Sequence, residues 1–349
     1  MQRRELSVGW PTMILLLVVL ASLVAALLAR LAPRWDAPLA WVVGAVLAAC
    51  AGLYTQGFDH EEYILNIEAT RQLADQTIAL QLVAAKDPIF LFIIDLAGAL
   101  TDNVQLVFVI VAVLAVSTKV LATAALPGKR TQFMAIYTVF IAPGLEFAAI
   151  RAGLAVGLAM LAYMVARRLR WRVLWISLGL ASHLSVLFVV VGWIWSRWWR
   201  HLLFGVIILG PVVVPAILSF AGDDVRYAQY LDNPGTPLAF VTPVATLLSL
   251  MLLSRSARSR QPLQHVVLSK DALTATYFSV ATSVILTLVV VTAATRVMEL
   301  SWVFILAQML ARDQLIQRRV EAFQAASWFT FIGVLALSNV LRGTWTVLL

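Results

Sequence analysis

The stretch VQLVFVIVAVLAVSTKVLATAA, residues 104–125, is the kind of segment that decides the fold of this chain. A helix needs about 20 predominantly apolar residues to cross the hydrocarbon core of a bilayer, and runs of this kind recur along the 349 residues. Overall, 62% of the residues are hydrophobic and 13% are charged, with a mean hydropathy of +0.90. A soluble protein carries about one quarter charged residues. The sequence therefore predicts an all-α polytopic integral membrane protein and excludes a soluble one.

The apolar segments predict a single transmembrane domain over residues 1–349, with about 10 to 12 transmembrane or re-entrant helices. The first segment imitates a signal peptide, but we expect it to be retained as a helix because many spans follow it. The predicted spans cover residues 10–30, 38–54, 104–125, 131–147, 152–166, 173–195, 202–220, 238–254, 272–293, 300–311 and 322–340.

Basic clusters between the spans predict the orientation, because Lys and Arg concentrate in cytoplasmic loops. The clusters cover residues 127–130, 167–172, 196–201, 254–260 and 312–319. An interfacial helical segment at 55–103 and a loop at 221–237 then fall on the outer face, and the N-terminus lies outside as well. The net charge of +8 follows from this clustering, so no nucleic-acid partner is expected.

The span 173–195 is flanked by basic clusters on both sides, so a single crossing would place one of them outside. We predict a re-entrant hairpin instead, with helices at 173–181 and 184–195 and His183 at its apex. The segment 86–103 has an apolar part of only about 12 residues, which is too short to cross. It is predicted to dip into the outer leaflet or to lie along it.

Several ionisable residues near the predicted membrane depth do not belong to the basic clusters that predict the orientation. Such residues are candidates for a functional site. Some have a second interpretation: Arg151 could extend to lipid headgroups at the interface or pair with Glu146, and Arg296 could pair with Glu299. Asp59 could simply cap a solvated helix. The predicted topology brings candidates from separate segments to the outer side: Asp59, Asp87, Arg151, His183, Arg226 and Arg296.

This set of side chains suggests one kind of chemistry. A carboxylate can act as a base while guanidinium groups hold an anion such as a diphosphate, and a diphosphate at a membrane implies a lipid carrier. His183 could instead be a core histidine bonded to a carbonyl, and Tyr227 and Tyr230 could be ordinary interfacial residues.

Short motifs in a fixed order across residues 50–300 resemble the EpsG family of bacterial exopolysaccharide proteins, which is related to the Wzy polymerases of O-antigen and capsule synthesis. The motifs are GFDHEEY at 57–63, DPIF at 87–90, RAGLA at 151–155, SHLS at 182–185, RYAQY at 226–230 and TRVMEL at 295–300. The chain departs from the family pattern at Asp87, where Glu is usual, at Ile89, where Gly is usual, and at Ser182, where an aromatic residue is often found.

The resemblance implies a glycosyltransferase of GT-C-like architecture in the bacterial inner membrane, with its active site facing the periplasm. Such a polymerase moves a growing glycan from an undecaprenyl diphosphate carrier onto a lipid-linked repeat unit. Its partners would be the two lipid-linked glycans, membrane lipids, and further a chain-length regulator and a flippase. No nucleotide-sugar domain is expected, since the chain has no Gly-rich phosphate loop after a strand and no Asp-x-Asp motif.

The same resemblance implies roles for individual residues. Arg151 and Arg296 would hold the leaving diphosphate, which removes the need for a metal or another cofactor. Asp59 would orient or deprotonate the acceptor hydroxyl, with His183 in support. The remaining substrate-binding candidates are Tyr63, Asp87, Arg226, Tyr227 and Tyr230.

Other functions stay open from the residues alone. A transporter or flippase of lipid-linked oligosaccharide would also need arginines for a diphosphate, although the chain shows no convincing internal repeat. A ligase or a single-sugar transferase that uses a polyprenyl-linked donor would need the same base and phosphate clamp. A non-catalytic subunit would not need the converging polar residues.

Overall fold

The computed structural model describes residues 9–55, 60–183, 186–187, 291–312 and 321–341, together with isolated residues between 242 and 283. Within these residues all regular secondary structure is helical, which confirms the all-α prediction. The helices are α1 (Gly9–Leu31), α2 (Asp36–Leu53), α3 (His60–Gln72), α4 (Ile78–Ala85), α5 (Pro88–Leu100), α6 (Gln105–Ala122), α7 (Arg130–Phe140), α8 (Ala142–Leu145), α9 (Ile150–Met160), α10 (Leu169–Ser182), α11 (Val291–Arg312) and α12 (Glu321–Leu341). Short 3₁₀ turns precede α2 and follow α6, and a π-helical turn, Leu161–Val165, extends α9.

The chain divides into two compact units. The first contains the chain up to Val186 together with Leu306–Gln314 and Arg342–Leu349, and the second contains Leu187–Ile305 and Leu315–Leu341. Among the described residues, Pro33–Leu53 and Gln105–Ala125 form helices that are long and apolar enough to cross a membrane. Shorter apolar helices cover Leu17–Leu31, Pro88–Leu100, Ile150–Val165, Met298–Ala311 and Ala326–Ala336.

Helix α6 is the centre of the first unit, and it packs closely against α2 and α9. The approach to α2 depends on Gly52, where a Cβ atom would come within 2.8 Å of the Cα atom of Val109. The Gln105 side-chain amide donates a hydrogen bond of 2.5 Å to the Gly52 carbonyl, so the end of α2 lies beside the start of α6. The two long apolar helices are therefore antiparallel. On the other side of α6, Gly157 of α9 lies so close to Thr118 that a Cβ atom would overlap its hydroxyl.

The opposite end of α2 is fastened to the start of α7 by Asp36. Its carboxylate accepts hydrogen bonds from the backbone N–H groups of Arg130 (3.1 Å) and Thr131 (3.0 Å). The Thr131 hydroxyl donates back to the Asp36 carbonyl at 2.6 Å. Because the first N–H groups of a helix have no partner within it, this carboxylate acts as the N-terminal cap of α7. The α1–α2 and α6–α7 connections therefore lie at one end of the bundle.

Two predicted boundaries are wrong. The predicted span 131–147 is not one helix: α7 ends at Phe140, and the short α8 restarts with Pro143 in its first turn. The predicted spans 272–293 and 300–311 were separated by a break around Arg296, whereas α11 runs without interruption through that residue. Arg296 does not interrupt α11 because an α-helix satisfies its own backbone hydrogen bonds whatever the polarity of its side chains.

The region between α2 and α6 consists of the short helices α3, α4 and α5. Helix α5 has 13 residues, about 20 Å at 1.5 Å per residue, and cannot cross a core of about 30 Å. Phe92, Leu96 and Leu100 are exposed along one of its faces, while Phe90 and Ile94 are buried. An apolar face of this kind on a helix too short to span suits a position in the interfacial layer.

Helix α10 packs on α9 and runs antiparallel to it. Near its start the Arg172 guanidinium donates to the Ala162 carbonyl at 3.3 Å, and further along Gly179 approaches the Ala155 carbonyl. The helix ends at Ser182, and His183 is in an extended conformation. The helix therefore stops at the predicted apex of the hairpin, and the predicted return arm, 184–195, lies almost wholly outside the described residues.

Candidate functional site

Arg151 lies in the first turn of α9 with only 9% of its side chain exposed. Its Nη1 atom contacts the Asp87 carboxylate at 2.7 Å and also donates to the Ala85 carbonyl at 3.2 Å. Its Nε atom is buried and has no hydrogen-bond acceptor among the described residues. Since a guanidinium carries five N–H donors in a fixed fork, this arginine retains capacity for a further anionic oxygen.

Two aromatic rings enclose the guanidinium. Its central carbon lies 4.9 Å from the ring centroid of Tyr63 and 5.1 Å from that of Phe90. The two rings are in contact with each other, with centroids 5.9 Å apart, and Phe108 of α6 packs edge-on against Tyr63. Cation–π contact stabilises the positive charge where water is excluded.

The chain around Asp87 is shaped to present this carboxylate. Lys86 ends α4 in the left-handed conformation, at φ 68°, and Pro88 starts α5. The resulting sharp turn places Asp87 just ahead of α5 and outside the apolar helices. The Lys86 ammonium binds Glu62 of α3 at 2.5 Å, which ties the turn to the helix that carries Tyr63.

Burial raises the pKa of Asp87 to about 6, even though the charges of Arg151 and Lys86 and the hydrogen bond from Arg151 act in the opposite direction. Removal of the carboxylate from water disfavours its ionised form, and this effect outweighs the neighbouring cations. The ion pair with Arg151 is therefore formed at neutral pH and lost on moderate acidification.

A narrow crevice borders Arg151 between α5, α6, α9 and α10. Its walls include Ile89, Val111, Arg151 and Ser182, and it has no room for a water molecule. Val111 lies about 9 Å along α6 from Gln105, so the crevice is recessed from the end of that helix. As the described residues are arranged, this crevice is therefore too narrow to hold a substrate group.

The structure brings together three predicted residues from separate motifs, namely Tyr63, Asp87 and Arg151. His183 is half-buried and follows Ser182, which lines the crevice. Arg296 lies within α11, and its side chain is outside the described residues. The other predicted site residues also lie outside them: Asp59, Arg226, Tyr227 and Tyr230.

A second buried ion pair lies beside the first, and sequence reasoning missed its lysine. Lys119 of α6 contacts Glu146 at 2.7 Å, and neither side chain is exposed. Tyr137 donates to the same Glu146 oxygen at 2.6 Å, and Lys119 also donates to the Gly153 carbonyl at 2.5 Å. The interpretation that Arg151 pairs with Glu146 is therefore wrong, because Lys119 holds that carboxylate. A lysine within the apolar stretch 104–125 was the available signal.

The described residues contain no group of three or more His, Cys, Asp or Glu side chains that could hold a metal ion. Within the described part of the site the buried positive charge comes from Arg151, and Lys86 adds a more exposed cation that is paired with Glu62. Arginine can bind a phosphate or diphosphate directly through paired N–H donors.

A sequence model of the EpsG family matches residues 39–342 of the 349-residue chain. The chain therefore belongs to the EpsG family, a membrane-associated family, and the resemblance drawn from the motifs is confirmed. At the level of the family this implies a Wzy-like, polymerase-type role with lipid-linked glycan substrates. No curated protein and no solved structure matches the chain.

Proposed function

We propose that this chain is a polysaccharide polymerase of the bacterial inner membrane. It transfers a growing glycan from an undecaprenyl diphosphate carrier to a lipid-linked repeat unit at the periplasmic face. The observation that carries the proposal is the buried guanidinium of Arg151, which is held by Asp87 and two aromatic rings and keeps an unsatisfied Nε–H.

The geometry of Arg151 suits the binding of a diphosphate. Asp87 and the rings of Tyr63 and Phe90 fix the guanidinium plane before any substrate arrives, so little reorganisation is needed when charge develops on a leaving group. The donor already committed to Asp87 is Nη1, and the donor left over is Nε. Once the crevice beside Arg151 widens, a diphosphate oxygen can therefore bind Nε without displacing Asp87.

The proposed reaction is a displacement at the anomeric carbon of the donor glycan. The acceptor hydroxyl forms the new glycosidic C–O bond, and the bond from the anomeric carbon to the diphosphate oxygen breaks. Asp59 takes the hydroxyl proton, with His183 in support, and the released diphosphate charge is stabilised by Arg151 and Arg296. Tyr63, Tyr227 and Tyr230 are proposed to offer faces to sugar rings, while Asp87 and Arg226 complete the binding set.

The orientation is part of the proposal. The end of the bundle that holds Asp36 carries Arg30, Arg34, Lys129 and Arg130, and a concentration of basic residues favours the cytoplasmic side. The Arg151 cluster lies towards the other ends of α2 and α6, which would be periplasmic. We further expect a chain-length regulator and a flippase as functional partners.

The decisive experiment uses a deletion host in which lipid-linked repeat units accumulate. The host is complemented with wild type, Asp59→Asn, Arg151→Ala, Arg151→Lys or His183→Ala at matched membrane levels, and glycan length is read on a gel. Arg151→Ala is expected to lower polymer formation about 100-fold or more, as for removal of a donor to a developing oxyanion. Arg151→Lys should recover little, because an ammonium cannot reproduce the planar fork.

Arg168→Gln is the matched control, since Arg168 is an exposed arginine just before α10 and lies outside the proposed site. It should form a normal ladder. A normal ladder from Arg151→Ala would remove Arg151 from the reaction. If repeat units stay on the cytoplasmic leaflet in the absence of the protein, the step affected precedes polymerisation, and the flippase alternative replaces the proposal.

A further inference from the structure

A cavity of about 340 Å³ lies at the end of the bundle away from Arg151, between α1, the start of α2 and the start of α7. Its lining includes Ala26, Arg30, Asp36, Lys129 and Gln132. A volume of this order is sufficient for a small polar ligand or a headgroup. None of the proposed polymerase-site residues that the structure describes contributes to it.

The charged groups of the cavity favour an anion. Arg30 and Lys129 contribute two cations to its lining. Among the described lining residues the one carboxylate, Asp36, is engaged as the cap of α7 by the N–H groups of Arg130 and Thr131. Its charge is therefore largely compensated by two donors and by the positive end of a helix. A phosphate group placed between Arg30 and Lys129 would receive charge-assisted hydrogen bonds, since a guanidinium carries five N–H donors and an ammonium three, more than one partner uses.

One wall of the cavity is apolar and continues onto the surface of α1. Leu27 lines the cavity and is also 59% exposed. Leu20 and Leu23 precede it by seven and four residues, fall on the same face of the helix and are exposed as well. A ligand with a phosphate at Arg30 would thus have an apolar strip running from its binding pocket along the helix.

From this combination we infer that the cavity is a binding site for the headgroup of an anionic phospholipid, with an acyl chain lying along the Leu20–Leu27 face of α1. Basic pockets between transmembrane helices bind phospholipid headgroups by this combination of charge and apolar surface. The ligand would join α1 to the α6–α7 connection and would not take part in glycan transfer.

The test uses the purified full chain and phosphatidylglycerol as the probe, with phosphatidylcholine for comparison. Native mass spectrometry is expected to show retention of phosphatidylglycerol, and Arg30→Gln/Lys129→Gln is expected to bind it about 100-fold more weakly, since each of the two lost charged contacts costs about a factor of ten. Ala26→Trp should also lose the lipid, because the indole fills the apolar wall while both cations remain. Arg34→Gln, a nearby exposed arginine that is not part of the lining, should bind as wild type does.

Three results would overturn the inference. The first is equal retention of phosphatidylglycerol and phosphatidylcholine by the wild type. The second is unchanged binding by Ala26→Trp, which is the variant to rely on if the double variant does not fold. The third is binding of inorganic phosphate that depends on Arg30 and Lys129 but is unaffected by Ala26→Trp, because the ligand would then be a free anion.

Discussion

Two buried ion pairs lie close together in the first unit, and they differ in what surrounds them. Lys119 and Glu146 are fully sealed, and each has further polar contacts, from Lys119 to Gly153 and from Tyr137 to Glu146. Each pair keeps one buried atom without a hydrogen-bond partner among the described residues, Glu146 Oε2 in the first and Arg151 Nε in the second, but Arg151 also borders a crevice. The first pair is therefore suited to holding α6, α7 and α9 together, and the second is suited to binding a ligand.

Loss of Lys119 alone is expected to destabilise the protein strongly. Lys119→Met leaves the Glu146 charge buried without its partner, which costs about 3–5 kcal/mol. The double variant Lys119→Met/Glu146→Gln removes both charges and keeps an acceptor for the Tyr137 hydroxyl, so it should recover most of that loss. Thermal unfolding in detergent compares the two, and equal instability of both would show that the charge pair is not the cause.

Asp87 is expected to make stability depend on pH. Its folded pKa of about 6 lies above the ordinary value of 3.8, so the folded state holds the proton more tightly and loses stability as pH rises from about 4 to 6. The contribution amounts to about 3 kcal/mol across that window. Asp87→Asn should lack it, so the difference in unfolding free energy between wild type and Asp87→Asn should change with pH. A constant difference would contradict the raised pKa.

For individual side chains, the sequence predicted the candidate site residues better than it predicted their ion-pair partners. Arg151 was a candidate because a guanidinium within an apolar stretch needs an anion. Its partner could not be read from the sequence, because Asp87 and Glu146 were both acids at plausible depth. Asp87 lies 64 residues away in sequence, and only the turn at Lys86 and Pro88 brings it to the arginine.

Among the helices, α2 and α6 pack closely because a glycine, Gly52, lies at their contact. The start of α6 fits against α2 because Gly52 presents no side chain to the backbone of Val109. Small residues at helix contacts are the usual means by which membrane helices approach closely, since lipid tails provide little hydrophobic drive between them.

Gly52→Ala is expected to lower the unfolding free energy by about 1–3 kcal/mol, because a Cβ atom 2.8 Å from a backbone atom forces the helices apart. Gly333→Ala is the matched control. A Cβ atom at Gly333 of α12 meets nothing within 4 Å, and alanine favours a helix over glycine by about 1 kcal/mol. The two variants should therefore shift the unfolding temperature in opposite directions. A neutral Gly52→Ala would mean that α2 and α6 separate without cost.

The presence of a helix could be predicted from the length of an apolar segment. The positions at which a helix ends or continues depend on the local residues. The long runs at 38–54 and 104–125 correspond to α2 and α6. Hydropathy did not detect the break after Phe140, because Ile141, Ala142 and Pro143 are all apolar. It also suggested an interruption at Arg296 and Glu299, although Glu299 is buried within the continuous α11.

At the scale of the whole molecule, the first unit has a cationic end and an end that carries the candidate site. The charges beside the first helix do not orient it, because Arg3 and Arg4 precede it and Arg30 and Arg34 follow it, and only the later spans predict that its N-terminus lies outside. The contact between Asp36 and the start of α7 supplies the missing constraint, since it places the end of α1 with the cluster at 127–130.

Cysteine labelling tests this orientation in intact cells. Cys50 is replaced by serine, and single cysteines are introduced at Thr77 in the loop before α4 and at Ala124 after α6, both of which are exposed. A membrane-impermeant thiol reagent should label Thr77→Cys from the periplasm and reach Ala124→Cys only after the inner membrane is opened. The reverse pattern would place the candidate site on the cytoplasmic side.

The cap that Asp36 provides for α7 also has a consequence for the order of assembly during synthesis. Asp36 leaves the ribosome 95 residues before Thr131, which at about 5–20 residues per second is a delay of roughly 5–20 s. Throughout that interval the carboxylate has neither of its two donors and depends on water at the membrane surface. The Asp36 end of the α1–α2 hairpin therefore stays hydrated during this interval. Its hydrogen bonds to α7 form only after the first turn of α7 has been synthesised.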